Sequence, residues 1–315
     1  MIHMEITPLD EDVARQYRAA VATFVEWERA AEQADEYAGG MVWKRVKSFE
    51  YLVRTSRKGK QTSLGRRTAD AEARFESFFA RKAELEARLT SLRKSIGHHE
   101  RVNKALRVGR VPTPLIEFLR KLHQGSSPAA LVAIGPESLF AYESAAARRF
   151  DASLVPTAFG RSDAPRRLVL GTHEDAVEAL DALRVADASI KPVQGARGQF
   201  RNASGLEVTL ISADPVAAGD PTVFWATPKR DSAWLAAAPR WSEVVVGSTG
   251  RMARLPTVDP RAFVMHLDWQ AGTGVADARA IAIAEAVERL VGQALPQFDF
   301  AKLPNDEPTP GRITD

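Results

Sequence analysis

Between Lys44 and Arg67 the chain carries nine basic residues, Lys44, Arg45, Lys47, Arg54, Arg57, Lys58, Lys60, Arg66 and Arg67, against the single acid Glu50. The segment is therefore +8 in a protein of net charge +3, so the remainder stands at −5. Guanidinium and ammonium groups gathered in this way suit phosphate oxygens, because neutralising a phosphate releases its condensed counterions. A nucleic acid or a nucleotide is the matching ligand, and Arg57, Lys58, Lys60, Arg66 and Arg67 are the candidate polyanion-binding residues. A solvated basic loop is the plainer reading of the same charges. Trp43, Phe49 and Tyr51 lie among them. They could stack on bases, although their helical spacing equally suits packing into a core.

Other chemistry is sparse. With no cysteine there is no disulfide, zinc ribbon or thiol nucleophile. The six histidines show no metal-ligand spacing, and His98-His99 reads as a pair at a helix end, favoured by the helix dipole. There is no phosphate-binding G-x-x-x-x-G-K-[ST] loop, G-x-S-x-G nucleophile elbow or H-E-x-x-H zinc motif. The glycine pairs Gly195/Gly198 and Gly247/Gly250 mark turns.

The elements that must carry these residues divide the chain at a linker, Gln124-Gly125-Ser126-Ser127-Pro128. Residues 1–125 are expected to form a helical domain. A first helix runs from Asp10 to about Tyr37, a second from Val42 to Arg54, and a polar loop spans Thr55–Gly65. A long helix capped by Thr68 shows a stripe of Phe75, Phe78, Leu85, Leu89, Leu92 and Ile96 and packs against the first. Pro112 and Pro114 end the last helical piece. From 126 to 300 short apolar runs alternate with helices: strands at 131–134, 168–170 and 243–246, helices at 136–148, 174–183 and 276–295, and a hairpin of 200–202 with 207–211 across Ala203-Ser204-Gly205. Residues 301–315 read as a disordered tail. No run approaches the roughly 18 apolar residues of a membrane span, and the N-terminus lacks a secretory signal pattern, so a cytoplasmic location and no membrane partner are expected.

Three stretches resemble a bacterial nucleotidyltransferase-fold family of the DNA polymerase beta-like superfamily. Tyr51-Leu52 with the basic loop, Ser63-Leu64-Gly65 and the helix ending in Arg101–Pro112 look like its helical N-terminal region. Leu131–Glu143 looks like its first strand and helix, and Gly250–Pro256 with Asp259–His266 looks like its C-terminal element. The resemblance implies an α+β fold: a helical N-terminal domain, a mixed-sheet core with flanking helices, and a C-terminal helix. It also implies an acidic Asp-x-Asp pair plus a third acid, which in the family hold Mg²⁺ against the triphosphate. Aligning Asp163–Leu168 with the family's later Asp-Ala-Arg-Arg-Arg-Leu-like stretch puts Thr157-Ala158-Phe159 at the pair, and Val208-Thr209-Leu210-Ile211 at the third acid. Thr157, Phe159 and Thr209 thus mark a degenerate catalytic site with no metal and no cofactor, Mg²⁺ being needed only if other acids substitute. Glu207, two positions before Thr209, Asp151 and Asp163 are the acids at hand.

Gly135 and Ser138 remain where the family's turn meets the nucleotide phosphates, but Pro136 removes an amide donor and Glu137 adds a negative charge. Three readings follow. The chain is a nucleotidyltransferase-fold protein that has lost transfer and binds a polyanion or a protein. It is an active enzyme using non-standard acids on protein or RNA. Or it is a structural partner in a toxin–antitoxin or defence-type assembly, engaging a protein through the helix of residues 68–96.

Overall fold

The structure is a computed structural model and describes residues 6–123, 131–152, 154, 166–172, 176–196, 198–212, 230–272 and 278–294. In chain order the first elements are β1 (Thr7–Pro8), α1 (Glu11–Glu36), β2 (Gly40–Val46), β3 (Phe49–Thr55), β4 (Gln61–Arg66), α2 (Ala69–Ala105) and α3 (Thr113–His123). There follow β5 (Val132–Ala133), a 3₁₀ turn (Pro136–Ser138), α4 (Leu139–Ala146), β6 (Arg148–Arg149), β7 (Arg166–Thr172) and α5 (Ala176–Ala186). The last are β8 (Lys191–Pro192), β9 (Gln199–Arg201), β10 (Leu206–Ser212), α6 (Arg230–Ala237), β11 (Arg240–Val246), β12 (Met252–Val258), α7 (Pro260–Gly272) and α8 (Ala278–Ala294). The class is α+β, as expected. Among the described residues no helix is long and apolar enough to cross a membrane. The expected linker at 124–128 and the tail at 301–315 lie outside the described residues.

The chain makes two compact units, one of Arg15–Val102 and one of Met1–Ala14 with Asn103–Asp315. In the first, α1 and α2 run antiparallel. His99 meets Gln16 and Thr23 at one end, and Tyr37 stacks on Phe78 (centroids 5.4 Å apart) at the other. The stripe read from the sequence is what they bury: Tyr17, Ala20 and Phe24 on α1, and Phe78, Leu85 and Leu89 on α2. Thr68 caps α2 as expected, its Oγ1 accepting from the Ala71 amide at 3.2 Å.

The helix expected over Val42–Arg54 and the loop expected over Thr55–Gly65 are instead a three-stranded antiparallel sheet, β2-β3-β4. Val42, Val46, Val53, Thr55, Trp43, Phe49 and Tyr51 are all residues that suit a pleated surface. The two-residue Lys47-Ser48 turn, with Lys47 at φ 54°, closes the first hairpin, and Gly59 at φ 79° sits in the second. Phe49 and Tyr51 therefore alternate onto one face of β3, while Trp43 of β2 lies on the opposite face. Arg54 holds the junction with α1, donating to the Glu36 and Ala38 carbonyls that the helix end leaves open (3.1 and 2.7 Å). Its guanidinium also lies 4.6 Å from the Phe78 ring centroid. Gly39, at φ +87°, has no room for a side chain: a Cβ would stand 2.1 Å from the Thr55 carbonyl oxygen.

The second unit is built on a seven-stranded mixed sheet of order β11-β12-β5-β7-β10-β9-β8. The expected 200–211 hairpin is β9-β10, turning at Gly205 (φ +81°), and the two glycine pairs are turns. Pro114 opens α3 rather than ending a helix, as suits a residue with no amide proton to lose in the first turn. Grouped with the N-terminal helices by the sequence reading, α3 puts Leu115, Ile116, Phe118, Leu119 and Leu122 into the core around the seven-stranded sheet. A two-stranded ribbon, β1-β6, completes the unit.

His98-His99 lies inside α2, not at its end. Gln16 Nε2 donates to His99 Nδ1 at 3.2 Å, which fixes the proton on Nε2 facing Thr23 Oγ1 at 3.2 Å, and that hydroxyl donates onward to the Ala19 carbonyl. Burial, and then the neighbouring His98, lower the His99 pKa. A depressed folded-state pKa gives stability that is full above the ordinary histidine value and is lost as pH falls. His99→Ala should therefore cost about 1 kcal/mol at pH 7.5. The difference from wild type, read by denaturant unfolding, should shrink towards pH 5.

Candidate functional site

The strand register shows where the residues of the expected nucleotide site that the structure describes lie in the second unit. β5 pairs with β7 through Ala133↔Leu170, and the Ile134 amide donates to the Val169 carbonyl at 3.0 Å. β7 pairs in parallel with β10, so Val169 stands beside Thr209, which in turn faces Gln199 of β9. Alternation puts Val169, Glu207 and Thr209 on one sheet face, while Leu168, Leu170, Val208 and Leu210 are buried on the other. Thr209 is partly exposed, and α6 covers this face only farther along, where Ala236 sits against Gly171. Thr157 and Phe159 lie outside the described residues, as does Asp163.

Gly135 and Ser138 lie in the turn after β5, next to this face. Ser138 is fully buried, and its hydroxyl donates to the Ala133 carbonyl at 3.0 Å. Thr257 Oγ1 donates to the same carbonyl at 2.8 Å. The Ser138 side chain thus braces the turn. Glu137, read from the sequence as a negative charge added beside the phosphate turn, is 2% exposed and folds back towards the sheet. β5 ends after two residues, and the Val169 amide donates to Glu137 Oε1 at 2.8 Å in place of a strand partner. Gly135 makes space for this, since a Cβ there would fall 2.7 Å from the Glu137 carboxylate. Burial pushes the Glu137 carboxyl up to about 7, against the pull of backbone donors at Glu137 itself, Val169 and Gly135.

Of the acids read as possible replacements, Asp163 lies outside the described residues, Asp151 is exposed in the segment after β6, and Glu207 stands on β10. Glu207 shares a face with Thr209, as alternation requires, but pairs with Arg201 across β9-β10. Glu143 of α4 is buried, pairs with Arg110 and accepts from the Phe150 amide at 2.7 Å, which ties down the segment after α4. Asp259 is buried against Arg261, its Oδ1 accepting from Arg261 Nε at 2.8 Å. Among the described residues no group of three His, Asp or Glu side chains could hold a metal ion. The Thr209 face, with Val169, Gln199 and an ion-paired Glu207, does not suit Mg²⁺, which needs several hard anionic oxygens around it.

In the first unit the basic segment is sorted by its partners. Arg57 pairs with Asp35 at 2.8 Å, and Arg67 pairs with Glu50 and Glu72, each at 2.7 Å. Among the described residues Arg66 pairs with no acid: its guanidinium stands 4.1 Å from the Phe49 ring centroid and its Nε donates to Tyr51 Oη at 3.3 Å. Lys58 and Lys60 lie in and beside the exposed β3-β4 turn, and among the described residues neither forms an ion pair.

Comparison with family models matches residues 113–307, more than half of the chain, to one described as Nucleotidyltransferase. The match starts at the first residue of α3 and includes two of the three stretches that carry the sequence resemblance; the stretch before Pro112 and the basic sheet lie outside it. Comparison with curated proteins and with solved structures finds no match.

A carboxyl whose folded-state pKa lies near 7, above its ordinary value, favours the fold at low pH, and that stability is lost as pH rises through 7. Glu137→Gln keeps an acceptor for Val169 without the charge. It should be more stable than wild type at pH 8, by up to about 3 kcal/mol. Urea melts at several pH values should show the two converging near pH 4.5.

Proposed function

Because the chain belongs to the nucleotidyltransferase family, we propose that it keeps the family's scaffold without metal-dependent nucleotidyl transfer, and acts by binding a polyanion through Lys44–Arg67. The observation that carries this reading is Glu137. A triphosphate approaching the Gly135 turn meets a carboxylate already bonded to the Val169 amide, and above pH 7 that carboxylate is charged like the phosphates. Ser138 is bonded inward. Thr209 offers a neutral hydroxyl where transfer requires an anionic metal ligand. No step through Mg²⁺ is derived from these residues.

Binding falls to the basic residues outside that site. Lys58, Lys60 and Arg66 are the primary phosphate contacts. Arg57 and Arg67 join them by exchanging exposed, solvent-screened ion pairs for phosphate oxygens. A merely solvated basic segment would give no saturable binding at all.

Two titrations test this. Calorimetry with ATP or GTP in millimolar Mg²⁺ is expected to give no Mg²⁺-dependent binding. Anisotropy with an RNA oligonucleotide is expected to give binding that weakens linearly in log K against log salt. Lys58→Ala with Lys60→Ala should reduce that slope by about 1.4, or roughly 0.7 per single-strand phosphate contact, and leave thermal stability unchanged. Tight Mg²⁺-dependent nucleotide binding by the unaltered chain would sink the proposal. The active-enzyme reading draws on Glu207, which shares a face with Thr209, and it requires Glu207→Gln to abolish a transfer activity. Should the chain bind no nucleic acid at low ionic strength, a protein partner on the helix of residues 68–96 becomes the better reading.

A further inference from the structure

The two faces of the β2-β3-β4 sheet differ in what they carry. Facing pairs in an antiparallel ladder share a side. Met41/Arg54, Trp43/Leu52 and Arg45/Glu50 therefore lie on one face, and Val42/Val53, Lys44/Tyr51 and Val46/Phe49 on the other, with Arg66 joining Tyr51 from β4. The first face is occupied by its own unit. Trp43 packs on Phe75 of α2 (centroids 5.7 Å apart), Arg54 lies over Phe78, and Arg67 lies over Trp43 while pairing with Glu50 and Glu72.

On the second face Val42, Val46 and Phe49 are 51%, 48% and 47% exposed, far more than large apolar side chains on a packed sheet. It holds Lys44 and Arg66 and no acid among the paired residues. Arg66 stacks over Phe49 at 4.1 Å and reaches towards Tyr51 at 6.0 Å, so a ring and a guanidinium are already layered there. Lys47 stands at the turn closing one end of the sheet, and Lys58 and Lys60 at the turn closing the other. Apolar surface, π-faces and unopposed positive charge thus occupy one side of one sheet.

We propose that this face, centred on Phe49, Tyr51 and Arg66, binds single-stranded nucleic acid by stacking its bases, with Lys44, Lys58 and Lys60 on the backbone phosphates. The inference rests on the polyanion reading above and adds the form of the partner. Unpaired bases present π-faces that a duplex keeps inside its stack, so exposed aromatic and guanidinium planes are of use only to a single strand. A protein partner matching this face would have to supply acidic groups beside an apolar patch, and would have no need of the Arg66–Phe49 layer.

The full-length chain is titrated at low salt with fluorescein-labelled twelve-nucleotide oligo-U, oligo-dT and a duplex of equal length, comparing wild type, Phe49→Leu, Arg66→Ala and the Lys58/Lys60 double alanine variant. Both single strands should bind, and the oligo-U to oligo-dT ratio tells whether the 2′-hydroxyl matters. The duplex should bind more weakly. Phe49→Leu keeps the apolar bulk and the fold, checked by circular dichroism melting. It should lose roughly ten-fold in affinity with the salt slope unchanged. Arg66→Ala should lose both affinity and slope. If Phe49→Leu binds as wild type while the double lysine variant still flattens the slope, the stacking face is wrong and the polyanion reading stands. Preference for the duplex overturns the stacking face in the same way. No binding to any of the three overturns both.

Discussion

The Val169 amide sits in the middle of the seven-stranded sheet, beside a strand that stops after two residues. A buried donor left without an acceptor is costly, on the order of 1–3 kcal/mol, so the chain must bring one to it. It does so with Glu137, whose carboxylate reaches back from the turn after β5. Much around the candidate site follows from that one bond. Gly135 must lack a side chain, Ser138 turns inward to the Ala133 carbonyl, and a carboxyl group is held where it is hard to ionise.

The same constraint places a carboxylate of the chain itself in the turn after β5. A turn that presents free amides can receive phosphate oxygens, because backbone donors and a helix start both favour an anion. In the reading proposed above, the Glu137 carboxyl takes that place: covalently attached, it needs no binding entropy to stay there, so an external phosphate competes at a disadvantage. The sheet face beyond it, with Thr209, Val169 and Gln199, presents neutral groups. Glu207, the one carboxylate added by alternation, faces the guanidinium of Arg201.

In the helical unit the division of labour among the cations is decided by geometry rather than by number. Arg54 closes the end of α1 by donating to its open carbonyls, so it belongs to the fold. Arg67 bridges Glu50 and Glu72 on the side of the sheet that meets α2. Arg66, its neighbour in sequence, points to the opposite side because adjacent strand residues alternate, and it finds rings rather than acids. A charge count over Lys44–Arg67 treats these three residues alike.

Much of the architecture is legible in the residues themselves. The Thr68 cap, the apolar stripes of α1 and α2, the 200–211 hairpin and the glycine turns all rest on neighbours within one or two turns or strands, where propensity and periodicity act directly. Residues 42–54 read as a helix because Trp43 and Tyr51, eight positions apart, could share a helix face, although Phe49 between them could not. The β-branched residues and the two-residue Lys47-Ser48 turn were the signals that pointed to a hairpin. The chain alone thus determined the α+β class, the order of most elements and where positive charge is concentrated. Only the tertiary structure decided that Glu137 meets Val169, thirty-two positions away, and that α3 joins the sheet's core. It alone decided which arginines are spoken for. Those outcomes depend on which backbone donors and which carboxylates are brought face to face across distant strands, and local sequence spacing carries no record of that.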